Sequence, residues 1–271
     1  MTRVAVVTGA ARGIGAATVR GLASAGWSVV AVDRGSDDPR LPYALGTTDQ
    51  LREVVASAQA APGPDGESRV HRVVAHVADT TNEPALAEAV AIAEDRFGGL
   101  DAMVAVAGVI AGGVPLWEMP ADELAAVLEV DLGGPIAAAR VGIPALLRRP
   151  TPRSGRYLAV ASAAATRGLP LLSAYGAAKA GVAGLVRGLA AELGDCGVTA
   201  NAISPGSTAT ALVEESARLY GLDDTRLLAD HQPVKRLLAP EEVAAALVWL
   251  AGPDSSALTG AVIPVDGGLS L

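Results

Sequence analysis

A short apolar run, Val4 to Val7, leads straight into Thr8-Gly9-Ala10-Ala11-Arg12-Gly13-Ile14-Gly15, and helical spacing then carries on to Ala25. An uninterrupted apolar run of this length reads as a strand buried on both faces. Such a strand belongs in a parallel sheet with helices on either side. The turn after it also has a chemical use. Glycines let the backbone approach a pyrophosphate, and the next helix N-terminus offers free N–H groups and the positive end of its dipole. The spacing G-x-x-x-G-x-G is one residue longer than the common dinucleotide fingerprint. Gly9, Arg12, Gly13, Ile14 and Gly15 are candidate cofactor contacts. The competing reading is an ordinary glycine-rich turn.

Asp33 separates the two readings. It ends a second strand-like run, Ser28 to Asp33. A carboxylate there takes both ribose hydroxyls of an adenosine and repels a 2′-phosphate, which favours NAD over NADP. Arg12 and Arg34 pull the other way, since either guanidinium suits a 2′-phosphate.

Strand-like and helix-like segments alternate to the end of the 271-residue chain. Strands are expected near 3–8, 28–33, 70–77, 101–107, 156–161, 198–204 and 261–265. Helices are expected near 13–25, 48–60, 83–97, 121–148, 173–194, 209–219 and 240–251. Proline and acid in Pro240-Glu241-Glu242 suit the first turn of the last long helix. The pattern predicts an α/β fold, a doubly wound parallel sheet of about seven strands, in a single domain. One crossover, at about 35–69, is longer than a strand-to-strand connection needs. It is read as a surface elaboration beside the adenosine end.

The composition excludes several function classes. Hydrophobic residues make up 51% and aromatic ones only 3%, so small aliphatic side chains fill the interior. The net charge is −8 and no basic cluster exceeds Arg148-Arg149, which argues against nucleic acid. The single Cys196 rules out a disulfide within the chain and fits a reducing cytoplasm. Three scattered histidines predict no metal site. The N-terminus enters a strand at once, so no signal peptide is expected. The longest uncharged apolar stretch, Ala102 to Trp117, is broken by Gly108, Gly112, Gly113 and Pro115 and is too short to span a bilayer.

Tyr175 and Lys179 stand four apart in Ser173-Ala174-Tyr175-Gly176-Ala177-Ala178-Lys179, with Ser162 upstream. On a helix, i and i+4 share a face. A free phenol, with a pKa of about 10, is a poor base near neutrality. A cation beside it favours the phenolate, which makes the tyrosine a general acid/base.

Together these residues resemble the short-chain dehydrogenase/reductase family, the Y-x-x-x-K branch, over nearly the whole chain. The resemblance rests on the glycine turn, Ala78-Asp79-Thr80, Ala107-Gly108, Ser162 and Tyr175/Lys179. It extends to Asn201 through Pro205-Gly206 with Thr210, and to Val265-Asp266-Gly267-Gly268. It implies a Rossmann fold in which Asp79 contacts adenine. The loop at Pro205-Gly206 and Thr210 would cradle the nicotinamide carboxamide and pyrophosphate. Tyr175 would be the acid/base, Lys179 would lower its pKa and bind the nicotinamide ribose, and Ser162 would hold the substrate oxygen. The implied cofactor set also includes Arg34, Ala78, Thr80, Val106, Ala107, Gly108 and Thr208.

Two positions depart from the family pattern. Asn-Asn-Ala-Gly after the fourth strand is here Ala105-Val106-Ala107-Gly108, which questions how that strand end is held. The Asn that usually supports a proton relay to the lysine is here Asp131. Asp131 either holds that water, pairs with the lysine and blunts it, or only fills the site while its carbonyl serves the relay. The long segment after Asp33, the Ala-Val-Ala-Gly variant and the run Val109 to Trp117 further resemble the subgroup associated with mycofactocin, a peptide-derived redox cofactor. In that subgroup NAD is held without exchange and reoxidised in place by mycofactocin.

The expected function is hydride transfer between a secondary alcohol or ketone and NAD, with mycofactocin as a candidate external acceptor. The alternatives are an NADPH-dependent biosynthetic ketoreductase and a catalytically silent nucleotide sensor. A lid is expected at about 207–235, where Leu212-Val213 and Leu219-Tyr220 either line the substrate site or pack the lid to the body. A homo-oligomer, a tetramer by family habit, is expected through the helices near 121–148 and 173–194.

Overall fold

The computed structural model describes residues 2–60 and 72–271. Seven strands, all parallel, form one sheet in the order β3-β2-β1-β4-β5-β6-β7. They are β1 (Val4–Thr8), β2 (Ser28–Asp33), β3 (Val73–Val77), β4 (Ala102–Ala105), β5 (Gly155–Val160), β6 (Val198–Pro205) and β7 (Val262–Val265). The helices are α1 (Gly13–Ser24), α2 (Thr48–Ala60), α3 (Glu83–Phe97), α4 (Ala121–Leu128), α5 (Gly134–Arg148), α6 (Ser173–Glu192), α7 (Ala211–Leu219), α8 (Arg226–Ala229) and α9 (Pro240–Ala251).

The period of two in each strand sorts its side chains between two cores. Val4 and Val6 face Leu86 and Val90 of α3, Ala138 of α5 and Val182 of α6. Ala5 and Val7 face Val19 and Leu22 of α1, Leu51 of α2 and Leu247 of α9. Both faces are covered, as near-continuous apolar strands require.

All seven strands and the main helices fall where the sequence places them; the short α8 was not expected, and most other differences lie at element ends. β3 begins at Val73 rather than at 70, and positions 61–71, with the proline-rich half of the long crossover, lie outside the described residues. β4 ends at Ala105 instead of 107, because the next N–H groups turn to side chains. The single helix expected over 121–148 is two helices joined by a π-helical turn, Glu129–Gly133. That turn carries Asp131, and π turns recur where a helix serves a site.

A third apolar cluster lies above the strand ends. Leu41, Tyr43 and Leu45 from the crossover pack there with Val109 and Ile110, with Val127 of α4, and with Tyr175. Leu212, Leu219 and Tyr220 of the expected lid join the same cluster.

Candidate active site

A cavity of about 650 Å³ opens at the carboxyl ends of the strands. It is centred where the strand order reverses between β1 and β4, the usual ligand crevice of an open α/β sheet. All the sequence-predicted cofactor residues line it. Gly9, Arg12, Gly13, Ile14 and Gly15 do so from the turn, Asp33 and Arg34 from the end of β2, and Ala78, Asp79 and Thr80 from beyond β3. Val106, Ala107 and Gly108 follow β4, Pro205, Gly206, Thr208 and Thr210 follow β6, and Ser162, Tyr175 and Lys179 complete the wall. Asp131 does not line the cavity; it is fully buried behind Lys179.

The glycine turn fits a dinucleotide by its shape. A Cβ on Gly15 would stand 1.9 Å from the Gly9 carbonyl, and one on Gly9, whose φ is +67°, would stand 2.7 Å from the Ala107 backbone. Neither site admits a side chain, so backbone alone faces the cavity. No side chain caps the N-terminus of α1, and its first turn holds no acid. Its N–H groups and dipole are therefore free for an anion such as a pyrophosphate.

Next to this turn, Asp33 is held in place by backbone. Its Oδ2 accepts the Ala11 N–H at 2.9 Å and its Oδ1 accepts the Gly35 N–H at 3.2 Å. Both arginines that suited a 2′-phosphate are engaged elsewhere. Arg12 Nη1 donates to the Ala44 carbonyl at 2.9 Å. Arg34 donates to Asp38 at 2.7 Å and pairs with Asp79 at 3.5 Å. Asp38 is buried and also grips Arg40, so hydrogen bonds from Arg40 and Arg34 hold its carboxyl far below the ordinary range. Arg40 reaches on to Glu129 of the π turn. The result is an anchored strap over 35–47, from which Leu45 and Gly46 line the cavity.

Ser162 follows β5, and its Oγ accepts the Ala164 N–H at 3.1 Å, which leaves its hydroxyl proton free to donate. Tyr175 and Lys179 lie one turn apart on α6, with Nζ 5.7 Å from the ring centre. Lys179 Nζ also donates to the Val160 carbonyl at 3.2 Å and pairs with Asp131 Oδ1 at 3.2 Å. Burial raises the Tyr175 phenol above its ordinary value, and the Asp131 carboxylate adds to this. The Lys179 ammonium and a hydrogen bond from Ser162 oppose the rise. Burial works against the Lys179 charge, but Asp131 and Tyr175 outweigh it and hold the ammonium protonated. Asp131 itself is pushed up by burial and pulled back chiefly by Lys179.

Where the family has amides after β4, three side chains hold the backbone here, and of these the sequence reading gave a role only to Asp131, whose pairing with Lys179 was one of its alternatives. Thr8 Oγ1 accepts from Val106 and Ala107, at 3.1 and 3.3 Å. Asp131 Oδ1 accepts from Val109 at 3.0 Å, and the Tyr43 hydroxyl accepts from Ile110 at 2.8 Å. Asp131 is thus a brace for the loop as well as a partner for the lysine. Gln232 was also missed. Fully buried, it accepts the Ser207 N–H at 2.6 Å and donates to the Arg236 carbonyl at 2.7 Å, fixing the loop at Gly206. Thr8 carried only the weak signal of a polar residue closing an apolar run, and Gln232, in the polar stretch Asp230 to Arg236, carried none.

Of the expected lid residues, Leu212, Val213 and Tyr220 line the cavity, while Leu219 packs against the body. No helix among the described residues is long and apolar enough to cross a membrane.

The chain is similar to known proteins along nearly its whole length. The chain is 38% identical to the short-chain reductase protein NovJ of Streptomyces niveus, over 98% of this chain and 93% of that one. It is 38% identical to the cis-4-hydroxycyclohexanecarboxylate dehydrogenase of Sinomonas cyclohexanicum, over 98% and 96%. The structure of carveol dehydrogenase from Mycobacterium avium in complex with NAD superposes with a TM-score of 0.89 at 28% identity, over 98% and 97% of the two chains. A family model described as enoyl-(acyl carrier protein) reductase matches residues 9–270. With its glycine turn and its serine, tyrosine and lysine gathered in one cavity, the chain belongs to the short-chain dehydrogenase/reductase family of oxidoreductases.

Proposed function

We propose that the protein is an NAD-dependent dehydrogenase of secondary alcohols that also reduces the matching ketones. The observation that carries this reading is that Ser162, Tyr175 and Lys179 line the same cavity as Asp33 and the glycine turn. NAD, when bound, supplies the acceptor for the hydride that leaves the carbinol carbon. The protein's own part is the proton and the developing charge. Tyr175 Oη takes the hydroxyl proton during oxidation and returns it during reduction. Ser162 donates a hydrogen bond to the substrate oxygen. The Lys179 ammonium stabilises the phenolate in surroundings of low dielectric. Asp33, with both arginines engaged elsewhere, supports NAD over NADP. The NAD held by carveol dehydrogenase supports the same choice.

The strap over 35–47 supports a finer reading, in which NAD is retained through many turnovers and reoxidised in place by mycofactocin. A cover pinned at Arg12, Arg40 and Tyr43 slows release, and tight complexes differ mainly in off-rate. The test is to denature the purified protein and identify any released nucleotide by chromatography and mass. NAD is expected at close to one per chain. Turnover should be slow with added NAD alone and fast with an artificial electron acceptor. An empty protein that turns over freely with added NAD would remove the retention reading and leave the dehydrogenase; preference for NADP would remove the cofactor assignment.

A further inference from the structure

The two ends of the cavity differ in charge. Asp33 ends β2 and Asp79 follows β3, on one side of the strand-order reversal. Arg167 follows β5 and His231 follows β6, on the other side, and both line the cavity. Among the described residues no acidic side chain lines that second end. Lys179, the other cation there, is already neutralised by Asp131. Leu169, Pro170, Leu212, Val213, Tyr220 and Leu228 supply an apolar surface there, and the polar groups beside them, such as Ser207, Thr208 and Ser216, are uncharged hydroxyls.

Arg167 is tethered and only partly engaged. Its Nη1 donates to the Leu269 carbonyl at 2.6 Å, and Leu269 lines the cavity too. No carboxylate among the described residues pairs with it. The tether leaves Nε and Nη2, the parallel pair of donors that grips a planar carboxylate in two hydrogen bonds. A single guanidinium on an apolar wall suits one carboxylate; a diphosphate-bearing carrier calls for several cations.

We infer that the substrate is a secondary alcohol, or its ketone, whose apolar body ends in a carboxylate, and that Arg167 binds this carboxylate from the wall opposite the adenosine end. The inference rests on the dehydrogenase reading above for the reacting end of the molecule. The reaction balances as R₂CHOH + NAD⁺ giving R₂C=O + NADH + H⁺, with the carboxylate unchanged. His231 offers a second donor at the same end, and Leu212, Val213 and Tyr220 clasp the body between the two groups.

The experiment uses the full chain as purified, with NAD and an artificial electron acceptor. The substrates are 4-hydroxypentanoate, 5-hydroxyhexanoate and 6-hydroxyheptanoate, each against its methyl ester. One chain length should span the distance from Tyr175 to Arg167, and there the acid should exceed the ester in kcat/KM about tenfold or more, the scale of a charge-assisted hydrogen bond. Arg167→Met should lower this acid-to-ester ratio at least tenfold, mainly through KM, and Arg167→Lys should restore part of it. Melting temperature and NAD content check that the variants fold. Calorimetry with heptanoate, which carries no alcohol, gives a readout apart from turnover, and its Kd should rise about tenfold in Arg167→Met. Esters and acids used equally at every length, or a ratio unchanged in Arg167→Met, would overturn the carboxylate site and leave the dehydrogenase standing. Heptanoate binding that depends on Arg167, with no turnover of any acid or ester, would keep the anion site and sink the dehydrogenase reading.

Discussion

At the residue scale, the central fact is a phenol raised by burial and opposed by a lysine that is itself paired with a buried acid. A raised phenol is protonated across neutral pH, ready to give its proton to a ketone. Alcohol oxidation needs the phenolate, so its rate should climb with pH toward the alkaline side, while ketone reduction should fall there. Asp131 contributes to the rise, so Asp131→Asn should move the rising limb of oxidation to lower pH. An unmoved limb in a folded variant would confine Asp131 to bracing the loop at Val109. Tyr175→Phe removes the titrating oxygen and keeps the ring. Fold and NAD binding should persist while turnover drops by about 10² or more. Near-normal single-turnover rates in that variant would mean that another group moves the proton. Residues whose chemistry shows in local spacing were legible in the sequence, as Tyr175 and Lys179 were. Thr8, Tyr43 and Gln232 were not, because each serves a backbone N–H far away in sequence: Val106, Ile110 and Ser207. Nothing local in the chain announces such a partner.

At the element scale, the strap over 35–47 joins both halves of the site. Arg12 of the glycine turn holds Ala44, Arg40 reaches Glu129 of the π turn, and Tyr43 holds the loop after β4. The same π turn presents Asp131 to Lys179 and Val109. The strap therefore bears on the Asp33 end of the cavity and on Lys179 at once. Its length and prolines marked it in the sequence as an elaboration. Its course was hidden, because one long-range ion pair, the Arg12 hydrogen bond to Ala44 and the Tyr43 hydroxyl fix it. The π turn was hidden for a related reason, since Glu129 to Gly133 keep a helical pattern of burial and only the extra residue per turn reveals the change. Tyr43→Phe leaves the Ile110 N–H without its acceptor at a cost of about 1–3 kcal/mol. The expected result is a lower melting temperature and faster NAD release, measured by displacement with a fluorescent analogue. Release as slow as in the unmodified protein would show that Tyr43 does not hold the strap closed.

At the scale of the whole molecule, seven parallel strands were readable because every β–α unit repeats the same switch of hydrophobic period from two to 3.6. The outer surface was less readable, because burial in one chain and burial between chains leave the same apolar signature. The structure separates them. On α4, α5 and α6, Val127, Val182 and Val186 are buried within the chain, whereas Leu128 and Ile136 remain 39% and 38% exposed. On α6, Gly184 and Gly188 have open space where a side chain would stand, which lets a second helix approach closely. A second apolar feature lies elsewhere, on α9, where Trp249 is 48% exposed. β7 leaves a sheet edge unpaired as well. Pairing of each of these two faces with its own copy about a two-fold axis would generate a tetramer with D₂ symmetry. Light scattering at micromolar concentration should therefore report a mass about four times that of one chain. Trp249→Glu should leave dimers held by the α4–α6 face, and Leu128→Glu should leave dimers held by the α9 face. A monomer in the unmodified protein would contradict both interfaces; a dimer unaffected by Trp249→Glu would remove only the second.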